Sequence, residues 1–205
     1  YIGLICCDNI TVKNVEVYGL LLAYTNNSAI FNLTSYRGSI IIFSSSYNNI
    51  ENCTSCDSYT GIWLLNSSCI TLRNCTFRNN SYGMVTVSSS NNNLSNCCFY
   101  NNGVGLGGSS YNYRIENCVF YNNSVGLTIS SSNNWDIADC VFCNNSDYGL
   151  IIYPYSDYCE ISTSAFYNNY FGVVSYGRST TIASSVFYEN ECGLLFQFGW
   201  SGLSS

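Results

Sequence analysis

Residues 117–123 read Asn-Cys-Val-Phe-Tyr-Asn-Asn, and pieces of this step return along most of the chain. It stands as Asn-Cys-Thr-Phe-Arg-Asn-Asn at 74–80, Asn-Cys-Cys-Phe-Tyr-Asn-Asn at 96–102 and Asp-Cys-Val-Phe-Cys-Asn-Asn at 139–145. A worn copy, Ser-Ala-Phe-Tyr-Asn-Asn, occupies 164–169. Self-similarity at a fixed period marks a repeat architecture and decides the fold before any local reading. The apolar residue that opens each unit falls at Val12, Ile30, Ile50, Leu72, Leu94, Ile115, Ile137, Ile161 and Ile182, at spacings of 18, 20, 22, 22, 21, 22, 24 and 21 residues. A glycine marks the later part of each unit, from Gly3 and Gly19 to Gly172 and Gly193. Nine units and two incomplete ends place residues 1–205 in a single domain.

Within a unit, short apolar stretches are separated by Asn, Gly and Ser. Ile115, Cys118, Phe120, Leu127 and Ile129 fall on inward positions of a period-two alternation, and Glu116, Val119 and Tyr121 on outward ones. Asn117, Asn122–Asn123 and Ser131–Asn134 stand where the chain must turn, and Asn and Gly tolerate the left-handed conformation that sharp corners require. Three short strands per 21–22 residues predict an all-β chain folded as a parallel β-solenoid of about nine coils. Each coil stacks on the last and shares its core only with its neighbours. Corner residues then form columns, and Asn52, Asn74, Asn96 and Asn117 are expected to build an amide ladder along one of them.

The repeat Ile-x-Asn-Cys-x-Phe-Tyr-Asn-Asn, followed by Gly-Leu and a Ser-Asn turn, resembles the right-handed parallel β-helix repeat. Pectate-lyase-like enzymes, the copper-site maturation protein of nitrous oxide reductase and many archaeal surface proteins carry it. The resemblance covers about residues 10–200 and implies the fold. It implies little about function, because this scaffold hosts many activities.

The inward column after the first corner reads Val15, Leu33, Cys53, Cys75, Cys97, Cys118, Cys140, Ser164 and Ser185. Val, Leu and Ser stand in for Cys there, so core filling is one reading. Disulfides between adjacent coils are another, since the strand spacing lies inside the permitted Cα range. Neither Cys53–Cys56 nor Cys140–Cys143 reads as a metal site, because alternation sends the two ends of each pair to opposite faces. Cys56, Cys98 and Cys143 occupy outward positions and Cys192 lies near a corner. These four are the candidate cross-links between copies.

Two outward rows are rich in apolar side chains, with Tyr100, Val119, Tyr121, Val141 and Tyr167 on one face and Trp63 and Ile151 on another. Apolar surface of that extent marks an interface, so the chain is expected to pack against copies of itself. The ends point the same way: Tyr1–Ile5 and Gly193–Phe196 read as strands, with no amphipathic cap to cover their edges, and head-to-tail stacking would satisfy both.

Charged residues make up only 9% of the chain, the net charge is −6 and there is no histidine. Six basic residues do not make a nucleic-acid footprint, and no apolar run is long enough to span a bilayer. Thirteen cysteines suit an oxidising, extracellular setting, and the odd count leaves one without a partner in the chain. Ten Asn-x-Ser/Thr sequons, among them Asn9, Asn26, Asn66, Asn93 and Asn144, admit glycans. Lys13, Arg37, Arg73, Arg78, Arg114 and Arg178 are scattered over coils, and no nucleophile has a histidine beside it. Asp157 and Glu160, among Tyr153, Tyr155 and Tyr158, form the one patch suited to a sugar.

These features predict no catalytic residues, no cofactor and no metal. The leading expectation is a non-catalytic structural subunit of an extracellular cell-envelope polymer. In composition and uncapped ends it looks similar to archaeal surface-layer proteins or methanogen sheath subunits. The alternative is a secreted or periplasmic carbohydrate-binding or carbohydrate-processing β-helix protein. A third reading, an adhesin or phage fibre, would need a distinct tip domain.

Overall fold

A computed structural model describes residues 1–197. Among them there is no helix, hence none long and apolar enough to cross a membrane. Every strand pairing is parallel and joins equivalent positions of successive coils, as in Leu94 with Ile115 and Ile115 with Ile137. The coils run from coil one, at Val12, to coil nine, at Ile182. Each has three faces: Ile115 lies on the first, Val119–Tyr121 on the second and Val125–Ile129 on the third.

The alternation expected from the sequence is realised in the core. Ile115, Cys118, Phe120, Leu127 and Ile129 are fully buried, while Glu116, Val119 and Tyr121 are half-buried. In-register stacking turns the repeated Phe into a continuous column, in which Phe99, Phe120 and Phe142 lie 4.8 and 4.7 Å apart, centroid to centroid, and nearly parallel. The glycine at the third-face start of coils three to eight is required by this packing. A Cβ on Gly105 would lie 2.5 Å from the Gly126 carbonyl oxygen and 3.1 Å from the Phe120 ring.

The corners share one chemical device. Each turns on a non-glycine residue with positive φ, such as Asn117 (52°), Asn122 (54°) and Ser131 (49°). At most corners the residue that follows points inward and carries a small hydrogen-bonding group, with Val15 and Leu33 in its place at the first corner of coils one and two. At the first corner Cys118 Sγ donates to the Glu116 carbonyl (3.2 Å) and accepts from the Cys97 N–H (3.4 Å). At the third corner Ser67 Oγ donates to the Leu65 carbonyl (2.9 Å) and accepts from the Ser45 N–H (3.2 Å). At the second corner Asn102 accepts from the Asn80 N–H (3.0 Å) and donates to the Phe77 carbonyl (3.0 Å).

The cysteine column is therefore a hydrogen-bonding ladder of thiols, equivalent to the serine ladder one corner away. Hydrogen bonds to the next thiol, and then burial, push Cys53 and Cys118 far above the ordinary thiol range. Ser164 and Ser185 already fill the column, Ser164 Oγ donating to the Ser162 carbonyl (2.8 Å). Cys118→Ser is accordingly expected to melt within a few degrees of the wild type. Cys118→Ala, which leaves the Cys97 N–H without its partner and the Glu116 carbonyl with the Asn96 N–H alone, is expected to lose about 1–3 kcal/mol in denaturant unfolding.

The asparagine ladder lies in a different column from the one expected. Asn52, Asn74, Asn96 and Asn117 have φ of 52–54° and are exposed. Their backbone N–H groups ladder from coil to coil, Asn96 N to the Glu116 carbonyl at 3.1 Å for example. No side-chain hydrogen bond links those four among the described residues. The buried amide ladder is one corner on, running Asn80, Asn102, Asn123, Asn145, Asn169 and Asn190. The reason is geometric: the αL residue of a corner points its side chain to solvent, and the next residue points it inward.

The three-faced coil of short strands is realised, and in two coils strand pairing continues across the third corner, which Ser88 and Asn91 still turn with φ of 50° and 55°. These strands are Tyr82–Ser95 and Val104–Glu116, with the register shifting between Val87 and Ser90 at the turn. The expected end strands are present as Ile2–Ile5 and Cys192–Phe196.

Candidate functional site

The second corner is not the same length in every coil. Val17 and Leu20 pair with Ser35 and Ile40, which pair in turn with Ser55 and Ile62. The connection thus gains two residues at each step from coil one to coil three, and then stays near its full length. This receding corner leaves a notch of about 550 Å³ lined by Glu16, Val17, Tyr18, Tyr36, Arg37 and Asp57. Gly38 permits it, because the chain passes so close beneath coil one that a Cβ there would sit 1.3 Å from the Tyr18 carbonyl oxygen.

Arg37 and Asp57 occupy the corner column that Asn79 and Asn101 hold in later coils, all four with φ between 54° and 60°. Their side chains therefore point outward, into the notch. Among the described residues the only ion pairs involve Arg114, with Glu116 at 2.5 Å and Asp136 at 4.0 Å. The Arg37 guanidinium is thus without a carboxylate partner although Glu16 and Asp57 line the same space. Asp57 Oδ1 accepts a hydrogen bond from Asn79 Nδ2 (3.1 Å), which orients the carboxylate. Tyr18 and Tyr36 are 62% and 41% exposed, so their rings border the opening rather than fill it. One cation, two carboxylates and two phenols in one concavity can bind a polyhydroxylated, acid-bearing ligand and can move protons on it.

In the sequence the basic residues look scattered, and this site is not visible there. Its signal was the shortened spacing of the first units, 18 and 20 residues against about 22. The other expected sugar patch is partly engaged in structure. Asp157 Oδ1 accepts the Arg178 N–H (2.7 Å), while Tyr155 and Tyr158 stand exposed.

The expected cross-linking cysteines are placed differently from one another. Cys56 is fully buried, flanked in its row by Tyr36 and Arg78, and Cys143 is buried between Tyr121 and Tyr167. A short thiol in an in-register row of long side chains is covered by its neighbours, which alternation alone does not reveal. Cys98 and Cys192 are half-buried. Burial, followed by the neighbouring Asp57 carboxylate, pushes the Cys56 thiol up, and burial does the same to Cys98. Cys159 is pushed up to about 11, chiefly by burial. A brief native reaction with a thiol-specific disulfide reagent at neutral pH is expected to modify exposed Cys6 first and to leave Cys56, Cys143 and the inward column untouched. Labelling of Cys56 or Cys143 at the rate of Cys6, read by mass spectrometry, would contradict this arrangement.

Of the expected packing face, Tyr100, Val119, Tyr121, Val141, Tyr167 and Trp63 are half-buried. Ile151 is covered, at 4% exposure. The stacked pairs Tyr148–Phe171 and Tyr153–Tyr176 stand on either side of it and of Val174 in sequence.

Several solved structures share this fold. The Azotobacter vinelandii mannuronan C-5 epimerase AlgE4 A-module superposes with a TM-score of 0.56 at 11% identity, over 95% of this chain and 73% of that one. The periplasmic alginate epimerase AlgG gives 0.63 at 11% identity, and the chain spans 62% of its length. The tailspike protein of E. coli bacteriophage HK620 gives 0.57 at 8% identity, over 41% of its length. No curated protein sequence matches the chain. Identities this low establish the fold alone. They nevertheless correct the expectation of a chain that is not an enzyme: epimerases stand among the structures that share its fold, and neither the missing histidine nor the dispersed cations excludes catalysis on it. They lend no support to an archaeal sheath or surface layer. The profile described as "Right handed beta helix region" matches residues 2–166 and 110–203, nearly the whole chain, and the protein therefore belongs to the right-handed β-helix family.

Proposed function

We propose that the chain is a carbohydrate-processing β-helix enzyme, that the notch is its active site, and that its substrate is a polysaccharide containing a carboxylate-bearing sugar. The observation that carries this reading is the unpaired Arg37 guanidinium, set in a concavity with Glu16 and Asp57 from the coils on either side. A guanidinium binds a sugar carboxylate through two parallel charge-assisted hydrogen bonds. Neutralising that carboxylate makes the hydrogen on the adjacent carbon more acidic. A carboxylate or phenol in the notch then removes this proton, and returning it to the opposite face inverts the carbon. The names of the structural neighbours support a substrate of this class, and the periplasmic one supports a place outside the cytoplasm.

The test is to incubate the protein in D2O with polymannuronate, alginate and polygalacturonate. Proton NMR would follow loss of the hydrogen next to the carboxylate, and ultraviolet absorbance would follow unsaturated chain ends. Exchange or elimination on one of these polymers is the expected result. Absence of both on all three would overturn the proposal.

A further inference from the structure

Beyond the notch the same corner carries a second concavity, a shallow trough of about 840 Å³ that shares Asp57 with it. Its shape comes from one exposed column, the residue just before the first outward position of the third face. Down the coils from three to eight that column reads Tyr59, Ser81, Gly103, Ser124, Asp147 and Tyr170. The positions that follow are paired in register as Thr60, Tyr82, Val104, Val125, Tyr148 and Phe171. Three small residues in the middle are thus bounded by Tyr59 on one side and by Asp147 and Tyr170 on the other. Tyr59 to Asp147 spans four coil steps, roughly 19 Å at ~4.8 Å per step.

The lining is specific in what it lacks. No Lys or Arg borders the trough. Asp57 stands at the end shared with the notch, and Asp147 is the next bulky residue at the other. Along one side, Asn101 Nδ2 donates to Asn79 Oδ1 (3.4 Å) and Asn79 Nδ2 donates to Asp57 Oδ1 (3.1 Å), each amide keeping a further N–H for a ligand. The other side is apolar, formed by half-buried Tyr82, Val104 and Val125, and Tyr59 stands edge-on to Tyr82 at 5.7 Å. The one charged group of the lining, the Asp57 carboxylate, repels an anion. Amides facing an apolar floor suit a ligand with hydroxyls around its rim and C–H groups on its faces.

We infer that this trough binds uncharged sugar units of a glycan, so that the polymer engaged at the notch carries neutral residues next to its acidic one. The inference deepens the reading of the notch and rests on it only for the identity of the ligand as a polysaccharide. It places the glycan parallel to the solenoid axis along the second corner.

The experiment is calorimetric binding of mannohexaose, cellohexaose and xylohexaose, with hexamannuronate as the acidic probe. At least one neutral hexasaccharide is expected to bind the wild type. Ser124→Tyr fills the middle of the trough, and Tyr170 shows that the column accepts tyrosine. It should weaken that binding by about tenfold or more while the melting temperature holds. Asn101→Gly keeps the left-handed backbone and removes the amide; it should weaken binding several-fold, as loss of one or two hydrogen bonds implies, and it decides the matter should Ser124→Tyr fold poorly. Failure of all three neutral probes, equal binding by wild type and Asn101→Gly, or tighter trough binding of hexamannuronate overturns the inference. Neutral binding that depends on Asn101, without turnover of any acidic polymer, would instead overturn the notch reading and leave this one standing.

Discussion

Arg37→Asn is expected to lower kcat/KM on a carboxylate-bearing polysaccharide by about 10²–10³-fold, the usual effect of deleting one preorganised group that stabilises developing charge. Asparagine is the informative replacement because Asn79 and Asn101 hold the same corner column with φ of 56° and 54°, close to the 60° of Arg37. The backbone strain that alanine would add in the left-handed region is thereby avoided. The corner keeps its shape, the Arg37 N–H keeps its bond to the Cys56 carbonyl (3.0 Å), and only the guanidinium leaves. Arg37→Lys should recover part of the loss, since a point charge replaces the two-pronged contact incompletely. Steady-state kinetics with circular dichroism as a folding control measure this. Full activity in Arg37→Asn would remove Arg37 from the site.

Phe120→Ala is expected to cost about 3–5 kcal/mol, more than the loss of a ladder thiol at Cys118. The ring is fully buried and stacks on both neighbours, 4.8 Å from Phe99 and 4.7 Å from Phe142, at interplanar angles of 3° and 2°. Its removal opens a cavity in a column whose neighbours are locked in register, so the gap cannot close by sliding one coil. For a chain of this size the loss corresponds to a melting temperature lower by roughly 10 °C. Because a solenoid is stabilised coil by coil, the damage should centre on coils five to seven. Hydrogen exchange should therefore quicken around Phe99–Phe142 well before it does around the notch in coils one to three. Phe120→Leu should restore about half of the loss. A variant melting within about 2 °C of the wild type would show that the stack contributes little.

Arg37 and Phe120 separate what is local in this protein from what is periodic. Periodicity was legible in the chain itself: the Phe120 repeat, the Ile115 column and the glycine before each third-face strand follow from alternation and spacing, and each lies where that pattern puts it. Burial of the outward rows was not legible. Period-two alternation says which way Cys56 and Cys143 point, but long neighbours in the same row cover them, and row neighbours are about 22 residues away in sequence. The asparagine ladder was expected one corner too early, since the pattern shows that Asn turns the chain without showing which Asn faces inward.

The architecture follows from the chain's own pattern, because a repeat with an inward Phe, an inward small donor and an αL-tolerant Asn has one way to bury its apolar side chains. The candidate site comes into being only when the coils stack. Glu16, Arg37 and Asp57 lie about twenty residues apart and carry no shared motif. They meet because two short corners recede under Tyr18, and stacking converts a difference of two residues per coil into a concavity.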